Sequence, residues 1–194
     1  MNERLEKQIG FILELDKMKN LYRQTYVLNE NRKENDAEHS WHIAIMAILL
    51  SEYANTDIDV TRVIKMLLLH DIIEIDAGDT YCYDEAGNST KAEREEKAAR
   101  RIFGLLPEDQ CKEFYGLWRE FEDSVTKEAR FAAVMDRLQP LLLNYTKGGI
   151  SWKEHGIHKE QVLNRNEAYF HEADELSQLI RSVIDDAEKK GWLK

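Results

Sequence analysis

The chain has 194 residues, of which 43% are hydrophobic and 33% are charged, and its formal net charge is −10. This length suits one domain with a substantial core, and the composition excludes a disordered chain. The acidic balance argues against a nucleic-acid polymer as a partner, because phosphate backbones require clusters of lysine and arginine, but it does not exclude a small phosphate ester.

No apolar run approaches the ~20 residues that span a membrane, so we expect no membrane partner. The start, MNERLEKQ, is charged and lacks the apolar core of a secretion signal. The two cysteines, Cys82 and Cys111, therefore indicate reduced thiols rather than a disulfide framework. These features predict a cytoplasmic protein.

Apolar residues recur with the 3.6-residue period of a helix, and only two prolines and nine glycines interrupt them. The pattern predicts an all-α fold of about six or seven helices and no strand longer than a few residues. The first helix is expected over residues 3–19. Its inner face is expected to carry Leu5, Ile9, Ile12, Met18 and either Leu13 or Leu15.

Residues 23–36 form a polar stretch, after which Asp36 is expected to cap the second helix. Asp59 opens a third helix, VTRVIKMLLLHDIIEI, which is apolar on nearly every side after Val63. Such a helix is typical of the buried centre of a fold. Residues 76–89 predict a loop.

Thr90 and Glu93 predict a capping box at the start of a further helix that ends at Gly104. Another helix is expected from Thr126 to Tyr145, with Pro140 kinking it or ending its regular part early. Residues 157–190 predict a charged helical segment that packs over the core or supports a dimer. We expect one domain over residues 1–194, with a core at about 13–145 and a helical extension at about 150–190.

Four polar residues cluster at the end of the most apolar helix. Glu74 lies four residues after His70 and three after Asp71, so the three share one helical face, and Asp79 follows shortly after. An isolated His70–Asp71 pair would be read as a buried hydrogen bond or an exposed helix end. Three carboxylates beside an imidazole repel one another unless a cation lies among them, which favours a metal site.

Two further positions carry candidate ligands. His39 lies in the first turn of the second helix, and His42 follows three residues later; His42 alone is read as a surface or capped position. Asp136 interrupts the apolar helix RFAAVMDRLQPLLL, as a buried ligand would. A salt bridge from Asp136 to Arg137 or Arg130 is an equal alternative.

The ordered set E-H-S, H-D and a late helical aspartate resembles the HD-domain superfamily of metal-dependent phosphohydrolases. The string H-D-I-I-E-I-D-A-G-D resembles the branch that contains 5′-deoxynucleotidases. The resemblance implies a single HD domain with one divalent metal ion (Mn, Co, Fe or Zn, with Mg possible) and a small nucleotide as substrate. It also implies a homodimer. The metal ligands it implies are His39, His70, Asp71 and Asp136.

The same resemblance implies that Glu74 is the catalytic carboxylate and that Asp79 is a second essential acid near the sugar and phosphate. It further implies a phosphate-binding arginine upstream of the first histidine, for which Arg23 is the better match and Arg32 the rival. The bacterial 5′-deoxynucleotidase of this branch has an aromatic residue directly after its arginine, whereas this chain has Gln24 after Arg23.

The predicted activity is hydrolysis of 5′-(deoxy)nucleoside monophosphates to nucleoside and phosphate by a metal-activated water. Alternatives are another phosphate ester or nucleotide, a non-catalytic nucleotide sensor, and a helical scaffold with a solvated acidic face. The later Trp152, His155, His158 and His171 are read as ordinary packing and surface residues.

Overall fold

The structure, a computed structural model, describes residues 2–83 and 90–194, and its helical character confirms the predicted all-α class. The α-helices are α1 (Glu3–Leu15), α2 (Asp36–Leu50), α3 (Val60–Leu69), α4 (Glu74–Ala77), α5 (Lys91–Phe103), α6 (Glu108–Asp123), α7 (Lys127–Thr146), α8 (Ile150–His155), α9 (Lys159–Glu167) and α10 (Asp174–Lys189). They exceed the expected six or seven because short helices such as α4 and α8 are separate elements. Short 3₁₀ helices cover Asp16–Asn20, Ser51–Tyr53 and His70–Ile73. Part of the predicted loop, residues 84–89, lies outside the described residues.

A small hairpin lies in the polar stretch before α2, and its strands are only a few residues long. Strand β1 (Tyr22–Tyr26) pairs in antiparallel fashion with β2 (Lys33–Asn35). Tyrosine and threonine favour extended backbone, and the asparagines between the strands favour a turn. Strands of five and three residues are too short for an alternating pattern to be recognised in the sequence.

Three expected helix features differ in the structure. The predicted third helix changes after α3 to a 3₁₀ turn, where the His70 side chain donates from Nδ1 to the Leu67 carbonyl (2.8 Å). Helix α7 continues through Pro140 to Thr146, so its regular part does not end early at this proline. Thr90 is the N-cap of α5 but its side chain makes no capping bond, so the predicted capping box was wrong.

Helices α2, α3 and α7 pack against one another at the centre of the molecule, and α10 packs on α7. Deeply buried side chains of this core include Ile43, Met66, Met135, Leu138 and Ile184. The last of these belongs to α10, so the charged C-terminal segment packs on the core.

The apolar stripe of α1 faces outward, which corrects the predicted inner face of this helix. Phe11 and Met18 are buried, whereas Leu5, Ile9, Ile12 and Leu13 are between 43% and 69% exposed. Phe11 packs edge-to-face on Phe114, and Arg4 forms an ion pair with Asp109. These contacts fix α1 on α6 by the side opposite its apolar stripe. A second outward stripe on α2 consists of Trp41, Ile45, Ile48 and Leu49.

Within the described ranges, no helix has both the length and the apolar character needed to cross a membrane.

Candidate metal centre and active site

Three helical elements bring together His39, His70 and Asp136, whose nearest ligand atoms all lie within 4.8 Å of one another. Asp136 Oδ1 is 3.1 Å from His39 Nε2 and 3.7 Å from His70 Nε2. His39 comes from α2, His70 from the turn after α3, and Asp136 from α7. The packing of these central helices therefore assembles the cluster.

The start of α2 is fixed by a reciprocal capping box. The Asn35 side chain accepts from the Glu38 backbone N–H (2.9 Å), and the Glu38 carboxylate accepts from the Asn35 backbone N–H (3.1 Å). This arrangement satisfies two of the orphan donors at the helix start. It sets the first turn so that His39, the next residue, is fully buried against α7.

Hydrogen bonds fix the protonated nitrogen of both histidines. Gln139 Nε2 donates to Glu34 Oε1 (2.6 Å), so Gln139 Oε1 is the acceptor for His39 Nδ1 (3.1 Å). His70 Nδ1 donates to the Leu67 carbonyl. Each Nε2 atom therefore presents a lone pair to the Asp136 carboxylate, which is also an acceptor. Two lone pairs facing a carboxylate are unfavourable unless a metal ion or a proton lies between them.

The burial and electrostatic surroundings of His70 Nε2 also suit a metal ion. Within the part of the chain that the structure describes, no well-oriented hydrogen bond reaches this nitrogen, although carboxylate oxygens of Asp71 and Asp136 lie 3.0 and 3.7 Å away. Burial lowers the pKa of His70, but the carboxylates of Asp71 and Asp136 outweigh it and raise that pKa well above its usual value. Burial and the charge of Arg23 keep the pKa of His39 low. A divalent cation among these atoms would replace the proton that the carboxylates attract.

Asp71 lies at the edge of the same cluster. Its Oδ1 is 3.0 Å from His70 Nε2, and its Oδ2 is 3.9 Å from His39 Nε2. Arg23 Nη1 donates to Asp71 Oδ2 (2.7 Å) and lies 3.5 Å from Asp36 Oδ1. Burial raises the pKa of Asp71, but His70 and Arg23 outweigh it and hold the pKa below its usual value. Asp71 is therefore ionised and available as a fourth ligand.

Glu74 lies beside this cluster and is 7% exposed. Burial, followed by repulsion from Asp71, Asp36 and Asp79, raises its pKa well above the usual value. Asp36 and Asp79 are close enough to Glu74 for their charges to disfavour its ionised form. Burial also raises the pKa of Asp36, to about 7. This chain of carboxyl groups can hold and pass protons next to the metal cluster.

A cavity of about 270 Å³ opens over these residues and is lined by Arg23, Asp71, Glu74, Asp79 and Asp136. This volume is near the lower end of the ~300–1,000 Å³ typical of small-molecule sites. The sequence analysis did not identify several further lining residues. They are Trp152, Lys91, Glu95, Glu122, Arg137 and Arg165.

The remaining candidates lie at different distances from the cavity. Arg32 is half-exposed and paired with Glu30 and Glu38, so of the two candidate arginines only Arg23 lines the cavity. His42 Nδ1 is 3.2 Å from Gln139 Nε2, behind the cluster. Gln24, which stands where the bacterial enzyme has an aromatic residue, lines the cavity.

Two expectations about alternative roles are resolved by the structure. Neither Arg137 nor Arg130 forms a salt bridge with Asp136 within the described residues; the nearest arginine nitrogen is Arg165 Nη2, at 3.8 Å from Asp136 Oδ2. Trp152, which was read as ordinary packing, is buried and also lines the cavity. Its role was not recognisable because no motif surrounds it.

Comparison with known proteins gives consistent results. The HD domain family model matches residues 15–178. The human "5′-deoxynucleotidase HDDC2" is 35% identical over 115 residues, which cover 59% of this chain and 54% of the human protein. The match therefore spans about half the length of that relative.

Solved structures extend the comparison over nearly the whole chain. A "predicted metal-dependent phosphohydrolase" from Magnetospirillum magnetotacticum is 49% identical, with a TM-score of 0.94 over 98% of this chain and 96% of that one. An HD-domain phosphohydrolase from Listeria innocua is 17% identical with a TM-score of 0.66, over 93% of this chain and 89% of its own, and shares the fold.

Proposed function

Because the chain belongs to the HD domain family, we propose that it is a metal-dependent phosphohydrolase that releases phosphate from 5′-(deoxy)nucleoside monophosphates. The observation that carries this proposal is the pair of Nε2 lone pairs of His39 and His70, which face Asp136 at the base of a cavity. The similarity to 5′-deoxynucleotidases supports the nucleotide as substrate.

The proposed metal ligands are His39, His70, Asp71 and Asp136. Two imidazoles and two carboxylates suit one divalent ion such as Mn, Co, Fe or Zn, and Mg is also possible. When bound, the ion lowers the pKa of a coordinated water and so supplies a nucleophile at neutral pH.

The other residues of the site are proposed to bind the phosphate and to transfer protons. Arg23 neutralises phosphate oxygens with the nitrogens that Asp71 leaves free. Glu74, whose Oε2 is buried without a hydrogen-bond partner in the described ranges, orients the attacking water and takes its proton when the bound cation favours the ionised carboxylate. Asp79 accepts from the sugar hydroxyl or protonates the leaving oxygen.

The rest of the cavity suits a nucleoside. Tyr81, Phe121 and Trp152 line it, and aromatic side chains are suited to contact with a nucleobase. A cavity of about 270 Å³ accommodates one small molecule and supports a nucleotide rather than a nucleic-acid polymer as substrate.

Phosphate release from 5′ mono- and triphosphates, in ribo and deoxy forms with Mn or Co added, tests the proposal. We expect release from deoxynucleoside monophosphates that is abolished by Asp71→Ala. The control is Asp76→Asn, since Asp76 lies five residues later in a surface ion pair with Arg101. If phosphate were released only from other esters, the proposed substrate would be wrong. If no phosphate were released while metal was bound, the result would favour a non-catalytic binding role.

The outward apolar stripes support a homodimer. On α2, Trp41, Ile45, Ile48 and Leu49 follow the i, i+4, i+7, i+8 spacing of a single helical face, and Trp41 is 64% exposed. Contiguous apolar surface of this kind marks protein interfaces. Trp41→Lys should shift the mass measured by light scattering from dimer to monomer. Leu179→Lys, at an exposed position on α10, should not.

A further inference from the structure

Two arginines without a role in the proposed mechanism line the cavity next to Asp136. Arg137 directly follows Asp136 on α7, and Arg165 comes from α9. Asp136 Oδ1 faces His39 Nε2 at 3.1 Å, whereas Asp136 Oδ2 lies 3.8 Å from Arg165 Nη2. A single carboxylate therefore separates the Arg165 guanidinium from the candidate metal position.

Arg137 has unused hydrogen-bonding capacity. Its guanidinium lies over the Tyr169 ring, with 3.9 Å between the guanidinium carbon and the ring centroid. Its Nε and Nη1 atoms are buried and have no hydrogen-bond partner in residues 2–83 and 90–194. The stacking fixes the plane of a charged group whose buried donors are unsatisfied, which is unfavourable unless an acceptor binds them.

The other positively charged side chains that line the cavity, Arg23 and Lys91, lie closer to carboxylate partners. Arg23 donates from Nη1 to Asp71 at 2.7 Å and keeps an unpaired Nε atom. Lys91 lies 3.3 Å from Glu95. By contrast, the ion pair that Arg165 forms within the described ranges is the long one to Asp136, and a metal ion bound by Asp136 would weaken even that attraction.

We propose that Arg137 and Arg165 bind the phosphate group of the substrate from the Asp136 side of the metal centre. This inference rests on the proposed function, hydrolysis of a phosphate ester. Planar guanidinium groups match the oxygens of a phosphate, and two of them together favour a dianion. The site therefore takes a phosphate monoester in preference to a phosphodiester, which carries one charge and one fewer free oxygen.

Inorganic phosphate is the simplest probe of the pair. Calorimetry on the Mn-loaded protein should show a Kd for phosphate that rises at least tenfold in Arg137→Gln and in Arg165→Gln. The KM for a deoxynucleoside monophosphate should rise by a similar factor, while bound Mn is unchanged and kcat changes less than threefold. Arg165→Lys should retain part of the affinity, which separates loss of charge from loss of fold.

Arg181→Gln is the matched control. Arg181 stacks on Phe170 at 3.9 Å, as Arg137 does on Tyr169, but Arg181 is not among the described residues that line the cavity. We expect it to bind phosphate as the wild type does.

Three results would overturn the inference. Phosphate affinity could be unchanged in both Arg137→Gln and Arg165→Gln. Metal content could fall together with phosphate affinity, which would make the arginines supports of Asp136. The rise in KM of the two variants could be confined to nucleoside diphosphates, which would make Arg137 and Arg165 a site for a second phosphate group. If the wild type binds phosphate through this pair but hydrolyses no nucleotide, the inference stands and the proposed substrate is wrong.

Discussion

The two sides of the cavity differ in charge and in origin. We call one group of lining residues the carboxylate side: Glu74 of α4, Asp79 just after it and Glu95 of α5. The arginine side consists of Arg137 of α7 and Arg165 of α9. Burial raises the pKa of all three carboxyl groups. One side therefore holds protons and the other holds positive charge, as hydrolysis of an anionic ester requires.

The largest effect is expected where the two sides meet, at Asp136. Asp136→Asn removes a charged ligand and leaves the two histidine lone pairs without their acidic partner. Phosphate release should fall at least ~10³-fold, and metal analysis should find little bound metal. Asp109→Asn, in a surface pair with Arg4, serves as the control. Normal metal content and turnover in Asp136→Asn would remove it from the ligand set.

On the carboxylate side, Glu74→Gln should keep the metal but lower kcat by roughly 10²–10⁴-fold, the usual contribution of a general acid–base group. The substitution preserves the shape of a residue that is only 7% exposed. Kinetics and metal analysis on the same preparation check the result. A variant that turns over like the wild type would assign the proton transfer to another group, of which Asp79 is the nearest candidate.

Behind the histidines, Glu34 gives a test of stability against pH. Burial raises its pKa to about 7, partly opposed by Arg23 and Gln139. The folded state therefore binds more protons than the unfolded state between the usual value of 4.5 and about 7, so stability falls as pH rises through that window. Between pH 5 and 8 the metal-free wild type should lose roughly 2–3 kcal/mol more than Glu34→Gln.

Urea denaturation of chelated protein at both pH values measures this difference. Glu96→Gln is the control, because hydrogen bonds from Tyr115 and Arg100 lower the pKa of Glu96. It should keep the wild-type fall in stability. If Glu34→Gln kept that fall as well, Glu34 would be ionised in the folded state at neutral pH.

The smallest effect on activity is expected from substituting Arg23 or Arg32, the two candidate phosphate-binding residues of the N-terminal region. Arg23→Gln should raise KM by about ten- to thirtyfold, since a hydrogen bond to a charged group contributes ~1.5–2 kcal/mol at the lower end of its usual range. Arg32→Gln should leave KM unchanged, because Arg32 is bound to Glu30 and Glu38 at the surface. Steady-state kinetics on a monophosphate would contradict this assignment if the two variants exchanged behaviour.

On the carboxylate side, Glu74 and Asp79 could be predicted from the sequence because they lie close to His70 and Asp71 in it, whereas Glu95 could not. His70, Asp71 and Glu74 lie within two helical turns, and burial of such a cluster already implies a cation. Asp136 was recognisable because it interrupts an apolar helix, and both Asp136 and His39 fit a known ordered pattern. The structure brings ligand atoms of His39, His70 and Asp136 within 4.8 Å of one another.

The arginine side could not be predicted, because Arg165 and Trp152 lie in helices with no motif and reach the cavity only through packing. The outward stripe of α1 shows a related limit. Leu5, Ile9 and Ile12 have the periodicity of a core-facing helix, yet all three are exposed. Periodicity identifies an apolar face but does not reveal whether the core of this chain or a second chain covers it.

The most direct test of the metal centre is anomalous X-ray scattering from crystals of the Mn-loaded protein. We expect a single strong peak between His39 Nε2, His70 Nε2 and Asp136 Oδ1, with Asp71 in its coordination shell. A peak elsewhere, or none at this cluster while metal analysis of the dissolved crystals finds stoichiometric Mn, would contradict the assignment of these residues as the metal site.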